Sequence, residues 1–246
     1  LKLRGPVIAA AVALGAWWLL SLRLPEVLLP GPETVAAAGW AARATLVQAT
    51  FETAAASALG LLLAMVIGGV GAVLFLRSRA LEAALYPYAL LLQTVPIVAI
   101  APLLVVWLGY GRPVAVATAA IVSFFPILTS ANVGLRSTSP EHLELLRLYG
   151  AGFTAILWKL RLPAALPHVF SGLSTAVGLS VIGAIVGEFV GSNGQPPSLG
   201  YVVLRSARSA DTGVTFAAIF AATGLALSAF ASVRLLERRI IGHWHP

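Results

Sequence analysis

Charged residues are spaced along this chain so that long apolar stretches separate them. A helix needs about 20 residues without charge to cross a hydrocarbon core. Six intervals between successive charged residues meet that need: Arg4 to Arg23, Glu52 to Arg77, Glu82 to Arg112, Arg112 to Arg136, Arg161 to Glu188, and Asp211 to Arg234. They predict six transmembrane helices. The apolar residues show no sustained two-residue alternation, so the backbone groups are satisfied within helices and not in a closed barrel. The fold class that follows is an all-α integral membrane protein.

Composition agrees with this pattern. Of 246 residues, 59% are hydrophobic and only 10% charged, with a mean hydropathy of +0.93, beyond what a soluble domain carries. The first interval also fits a signal peptide, since Lys2 and Arg4 precede it, but Leu22-Arg23-Leu24-Pro25 offers no small-residue cleavage site, and an anchored helix is the expectation. The chain is read from Leu1, and nothing here excludes a preceding segment.

Basic residues in short loops orient the spans. With the N-terminus inside, Lys2, Arg4, Arg77, Arg79, Arg136, Arg147, Lys159, Arg161, Arg234, Arg238 and Arg239 lie in the cytoplasm. Arg23, Arg43, Arg112, Arg205 and Arg208 lie opposite, so eleven of the sixteen basic residues favour cytoplasmic termini. The net charge of +7 is then explained by topology and anionic lipid, without a nucleic-acid partner. Cysteine is absent, which removes disulfides and thiolate chemistry.

Short connections predict a single transmembrane domain over residues 1–246, with three longer segments. In the first, Leu24 to Thr45, Pro25, Pro30 and Pro32 break any helix. Pro32-Glu33 then opens an Ala-rich stretch that either lies along the outer surface or simply connects. In the second, the outer loop from Gly191 to Asp211, Ser192-Asn193-Gly194-Gln195-Pro196-Pro197-Ser198 is turn chemistry. The third is an inner stretch, Arg136 to Pro167, too polar to span and too long for a tight connection. Small residues recur every four positions at Ala56, Gly60, Ala64, Gly68 and Ala72, and at Gly172, Ala176, Ser180 and Ala184, with Gly183, Gly187 and Gly191 alongside. Such stripes let helix backbones approach closely, and ordinary bundle packing is the preferred reading.

Within the inner stretch, Pro140 opens a helix with Glu141 and Glu144 near its start, and Gly150 ends it. Gly150-Ala151-Gly152 is a sterically open corner, and a second short amphipathic helix is expected from about Phe153 to Leu160, before Pro163. Glu144-Leu145-Leu146, Gly150 and Leu160-Arg161-Leu162-Pro163 have the spacing of the EAA loop of bacterial ABC-importer permeases, which this segment resembles, with leucines in place of both alanines. Gln93-Thr94-Val95-Pro96, Ala101-Pro102-Leu103-Leu104, Trp107-Leu108-Gly109-Tyr110-Gly111, Gly187-Glu188 and Ser198-Leu199-Gly200-Tyr201 are similar to the nitrate/sulfonate/taurine branch of that family.

The resemblance implies a type I importer permease of MetI-like architecture in the bacterial inner membrane. It implies that the loop over residues 136–167, through Glu144, Leu145, Leu146, Gly150, Ala151, Leu160 and Pro163, docks on a separate ATPase as a coupling helix. The implied partners are two ATPase subunits holding ATP and Mg, a second permease copy, membrane lipid, and a periplasmic or extracellular substrate-binding protein. Within the branch, the segments around Gln93 and Glu188 most resemble permeases for pyrimidine precursors of thiamine and for riboflavin. The alternative is nitrate, sulfonate or taurine.

No P-loop occurs, so phosphate binding belongs to another chain. His142, His168, His243 and His245 form no helical metal-ligand pair near acids, and His243-Trp244-His245 reads as an interfacial tail. Neither a metal site nor a catalytic residue is assigned. Gln93, Thr94, Ser123, Asn132 and Ser180 are polar groups in apolar spans, which either line a pathway or bond neighbouring helices. Glu188 continues the Gly172 stripe; an intramembrane acid is a functional candidate, and equally it reaches interfacial water or bonds a neighbour. An ion-coupled secondary transporter using Glu188 leaves the inner loop unexplained. A membrane enzyme lacks paired carboxylates or a nucleophile with its base.

The charge tally makes a topological prediction. Single cysteines introduced at positions 138 and 240 label from the cytoplasmic side, and those at 30 and 195 from outside. Labelling of 138 and 195 from one side overturns the topology.

Overall fold

A computed structural model describes residues 4–193 and 196–242. Gly194, Gln195 and the expected tail at His243-Trp244-His245 lie outside the described residues. Helices make up nearly all of what is described, in the order α1 (Arg4–Ser21), α2 (Pro32–Ala41), α3 (Arg43–Arg77), α4 (Arg79–Thr94), α5 (Ile97–Leu108), α6 (Arg112–Arg136), α7 (Pro140–Leu148), α8 (Phe153–Ile156), α9 (Leu162–Gly191), α10 (Leu199–Arg208) and α11 (Thr212–Ile241). A π-turn, Leu157–Arg161, joins α8 to α9.

Four of the six expected spans are long apolar helices: α3, α6, the α8–α9 unit and α11. The interval from Glu82 to Arg112 is instead a broken pair, α4 and α5, bent by 101°. Proline explains the break. Pro96 has no N–H to donate and drives Val95 into extended backbone (φ −70°, ψ 127°), so α4 stops and α5 restarts in a new direction. The first interval holds a shorter apolar helix, Ile8–Ser21. Among the described residues there are thus four long spans, five if the bent pair is one, and the expected six is not confirmed.

Two connecting segments carry more helix than the turn residues suggested. Pro32 at its first turn and Glu33 beside it start α2, which packs on α11 where Gly213 lies against Ala38. In the outer loop, Ser198 accepts the Tyr201 N–H and starts α10, a ten-residue helix absent from the sequence reading. Its buried face is Leu199, Gly200, Val202 and Ser206, packed on α3, α9 and α11.

The core is built around α6, held between α3 and α9. The small-residue stripe of α3 is buried along its whole length at Ala56, Gly60, Ala64, Gly68 and Ala72. A Cβ on Gly60 would lie 2.5 Å from Ala119 Cβ and 2.7 Å from the Val116 carbonyl oxygen, so α3 meets the α6 backbone almost directly. Both stripes of α9 pack on α6 in the same way, with Gly172 against Ser130, Gly183 against Ala119 and Gly187 against Ala115 and Thr118. Helices in lipid associate through such close packing, since apolar side chains gain nothing by leaving lipid for one another.

Two polar networks close the ends of this three-helix core. At the inner end, Glu82 of α4 accepts from Asn132 Nδ2 at 2.8 Å and from Arg136 Nη2 at 2.6 Å, and Arg136 also donates to the Phe75 carbonyl of α3 at 3.2 Å. Arg161 donates to the Leu135 carbonyl at 3.1 Å, fixing the start of α9 to the end of α6. At the outer end, Arg112 of α6 pairs with Glu52 of α3, and Glu188 forms the knot described below.

Close contact of α6 with α9 predicts that Gly187 accepts no side chain, because a Cβ there meets Thr118 Oγ1 at 2.2 Å and Ala115 Cα at 2.8 Å. Gly187→Leu is expected to destabilise the detergent-solubilised protein by about 1–3 kcal/mol through overpacking, read as a lower unfolding temperature, while Gly178→Leu, at a position with open space, leaves it unchanged.

Candidate functional site

The inner loop has the local structure that its residues dictate. Ser139 caps α7 by accepting the His142 N–H, Pro140 occupies the first turn, and Glu141 lies at the positive end of the helix. Backbone hydrogen bonding at that end, aided by the Ser139 side chain, holds the Glu141 carboxyl below the usual range, so it stays ionised. The helix ends in a paired-bond cap: the Ala151 N–H reaches the Leu146 carbonyl at 3.0 Å and the Gly150 N–H the Arg147 carbonyl at 2.9 Å. This cap requires the left-handed conformation that Gly150 adopts, with φ +74°. Space around Gly150 is open, so only its backbone conformation excludes a side chain.

Beyond the corner, Phe153 starts a helix that does not stop before Pro163, as the sequence suggested, but continues to Gly191 as one unit of 39 residues. Proline is accommodated by the π-turn. The Leu162 N–H bonds back five residues to the Leu157 carbonyl, which widens the helix just ahead of the residue that has no N–H to give. The inner loop is thus a rigid hairpin with a covalently continuous path into the core span.

α7 buries none of its own residues. Glu144 and Leu145 are exposed, Leu146 and Ala151 half-buried, and Leu148 and Tyr149 stand 85% and 82% exposed at the tip. Leu160 and Pro163 are half-buried at the base, and Trp158 is exposed beside them. Five of the seven residues expected to couple therefore lie on α7 and its corner, with Leu160 and Pro163 at the base, and the apolar tip is uncovered among the described residues.

The six polar pathway candidates fall in four places. Gln93 and Thr94 are exposed at the bend between α4 and α5. Ser123 is fully buried and donates to the Ala176 carbonyl at 3.1 Å, and Ser180, also buried, donates to Val177 of its own helix at 2.9 Å. Asn132 belongs to the inner network with Glu82 and Arg136. Glu188 sits at the outer end of α9, 5% exposed.

The carboxyl of Glu188 is engaged on several sides. Its Oε2 accepts from Thr53 Oγ1 of α3 at 3.0 Å and from the Gly200 N–H of α10 at 2.8 Å, and the Ser198 side chain bonds it as well. Thr53 Oγ1 in turn accepts the Leu199 N–H at 3.0 Å. Glu188, Thr53 and Ser198 thus each accept one of the first N–H groups of α10, which have no partner within that helix. Gly200 has to be glycine for this approach, since a Cβ would meet Glu188 Cβ at 2.7 Å and the Ile185 carbonyl at 2.8 Å. Sequence reading singled out Glu188 and quoted Ser198-Leu199-Gly200-Tyr201 without assigning it a role, and it missed Thr53. The one local signal was Ser198 standing three residues before Tyr201, as a cap does. Among the described residues no group of three or more His, Asp or Glu side chains is arranged to hold a metal.

Long apolar helices, a broken span and an exposed helical hairpin are the features of a membrane-embedded protein. The chain belongs to the family described as binding-protein-dependent transport system inner membrane component, which it matches over residues 56–242. It is an ABC importer permease subunit, and in this family ATP is hydrolysed by another chain. A probable ABC transporter permease protein of Haemophilus influenzae is 33% identical over 243 residues, covering 98% of both chains. The formylaminopyrimidine transport permease protein ThiX of Halalkalibacterium halodurans is 36% identical, over 77% of this chain and 74% of that one. The riboflavin transport system permease protein RibX of Chloroflexus aurantiacus is 34% identical, over 88% and 81%. Among solved structures, an inward-facing form of the MetNI methionine ABC transporter matches with a TM-score of 0.70 and 18% identity, covering 79% of this chain and 95% of that one, which establishes the shared fold.

Proposed function

We propose that this permease carries a small neutral or weakly basic heterocycle of the vitamin-precursor type, of the pyrimidine or flavin class, across the bacterial inner membrane. It works as a homodimer with two ATPases, which bind ATP and Mg, below, and an external binding protein above. Both termini face the cytoplasm, and residues 1–246 act as a single transmembrane domain.

The observation that carries this reading is the broken span. Non-helical backbone at membrane depth is tolerated only where it is buried in protein or lines a wet cavity. The Val95-Pro96 break is exposed on this chain, with Gln93 and Thr94 beside it. A second copy facing this break encloses a pathway lined by freed carbonyls and neutral amide and hydroxyl groups. From Ala83 to Leu108 no residue is charged, so this stretch offers an entering oxyanion no counter-charge and a neutral heterocycle ample hydrogen bonding. Similarity to the thiamine-precursor and riboflavin permeases, at 36% and 34% identity, supports the same class; a sulfonate permease of Bacillus subtilis is 31% identical and a taurine permease of Escherichia coli 26%.

Coupling runs through the inner hairpin. Glu144, Leu145 and Leu146, with the Gly150-Ala151 corner, insert into a groove of the ATPase, and Leu160 and Pro163 carry the motion into α9. Rigidity of α7, its cap and the π-turn keeps the displacement from being lost in the loop.

Two measurements test these statements. Gly150→Val, which forces a β-branched residue into φ +74°, and Glu144→Lys are expected to leave membrane insertion intact while abolishing ATP-driven uptake in vesicles. Normal uptake and normal co-purification with the ATPase in both variants overturn the coupling assignment. Uptake with the cognate binding protein is expected to be competed by pyrimidine or flavin compounds. Saturable, ATP-dependent uptake of nitrate, a sulfonate or taurine, without such competition, overturns the substrate reading.

A further inference from the structure

The inner hairpin and the outer helix α10 lie at opposite ends of one mechanical element. α8, the π-turn and α9 form one helical unit from Phe153 to Gly191, a length of about 58 Å for 39 residues at about 1.5 Å each. The next helix, α10, begins at Leu199 and packs on the far end of α9. Across that packed contact Glu188 adds a hydrogen bond to the first turn of α10.

We infer that Glu188 is a positioning residue that clamps the N-terminus of α10 to the end of α9, with Thr53 bridging both to α3, so that motion entering at the inner hairpin is delivered to the outer face. This rests on the coupling reading above. The Glu188 carboxyl takes the Gly200 N–H, and the Thr53 hydroxyl takes the Leu199 N–H while donating to Glu188. Gly200 permits the close approach, since a Cβ there would meet the Glu188 Cβ and the Ile185 carbonyl. α10 then holds Arg205 and Arg208 exposed at its other end, one helical turn apart and facing out of the bundle. Its buried face, Leu199, Val202 and Ser206, keeps it on the core, so the clamp moves a rigid rod. The inference takes the exposed Arg205 and Arg208 as the face that meets the binding protein, and the clamp couples that face to the ATPase.

The test compares hydrolysis with and without the binding protein in the full complex reconstituted in nanodiscs, using the cognate binding protein as purified. Thr53→Val keeps the volume and removes both of its hydrogen bonds, a loss worth about tenfold in a coupled equilibrium. It is expected to retain basal hydrolysis, lose stimulation by the binding protein about tenfold, and speed amide exchange at Leu199 and Gly200. Glu188→Leu loses stimulation likewise, whereas Glu188→Gln, which keeps an acceptor oxygen at the same place, restores most of it. A proton or ion site at this position would not be rescued by glutamine. Full stimulation in both Thr53→Val and Glu188→Leu, with amide exchange at residues 199 and 200 accelerated, overturns the clamp. Unprotected Leu199 and Gly200 amides in the unmodified complex overturn it as well, without any variant. Gly150→Val assayed in parallel separates the two ideas: if it transports normally, the coupling reading fails, and if it is uncoupled while Thr53→Val is not, the clamp alone fails.

Discussion

Everything in this chain depends on α6 being approached on two sides by helices that have almost no side chain at the contact. Gly60 and Gly68 of α3, and Gly172, Gly183 and Gly187 of α9, place backbone against the α6 backbone. Water exclusion drives none of this in lipid, so stability comes from dispersion over many close contacts and from a few hydrogen bonds that have no better partner in hydrocarbon. Side chains as small as these also lose little rotamer freedom when packed. A rigid three-helix slab results, and both the hairpin and the outer helix are attached to it.

Rigidity in the slab throws the looser elements into relief. α4 and α5 turn through 101° at Val95-Pro96 and leave an uncharged polar break on the surface. α7 hangs below the slab with no buried residue and an apolar tip. A permease has to bind partners through one such surface and pass substrate along another, and neither can be used up in holding the fold together. The division is visible in where polarity is spent: Glu82, Asn132 and Arg136 at one end of the slab, and Glu52, Arg112, Glu188 and Thr53 at the other, are paired with one another, while Gln93 and Glu144 stand exposed.

Much of this was legible beforehand because a bilayer makes strong demands on local sequence. Charge-free intervals located the long helices, since an unpaired charge in hydrocarbon is costly wherever it falls. Four-residue spacing of Gly and Ala identified the packing faces, and all of those positions in α3 and α9 are buried. Gly150 was readable as a left-handed helix end from its neighbours alone, and its φ of +74° is that conformation. α10 was hidden by the turn residues ahead of it, because its stability comes from burying Leu199 and Val202 on α3, α9 and α11 and not from its own propensity.

The sequence by itself determined the elements whose energetics are local: apolar length, proline breaks, helix caps and the faces that carry small residues. Tertiary structure decided which polar groups find each other. Thr53 and Glu188 are 135 residues apart, and Asn132 and Glu82 are 50 apart; no local rule pairs them, and their meeting depends on the register in which α3, α6 and α9 slide together. It also decided that Pro163 would be absorbed by a π-turn while Pro96 would break its span. A helix end anchored to the core by Arg161 on Leu135 can widen to accommodate a missing donor. The exposed α4–α5 pair, without such an anchor at its bend, turns away instead.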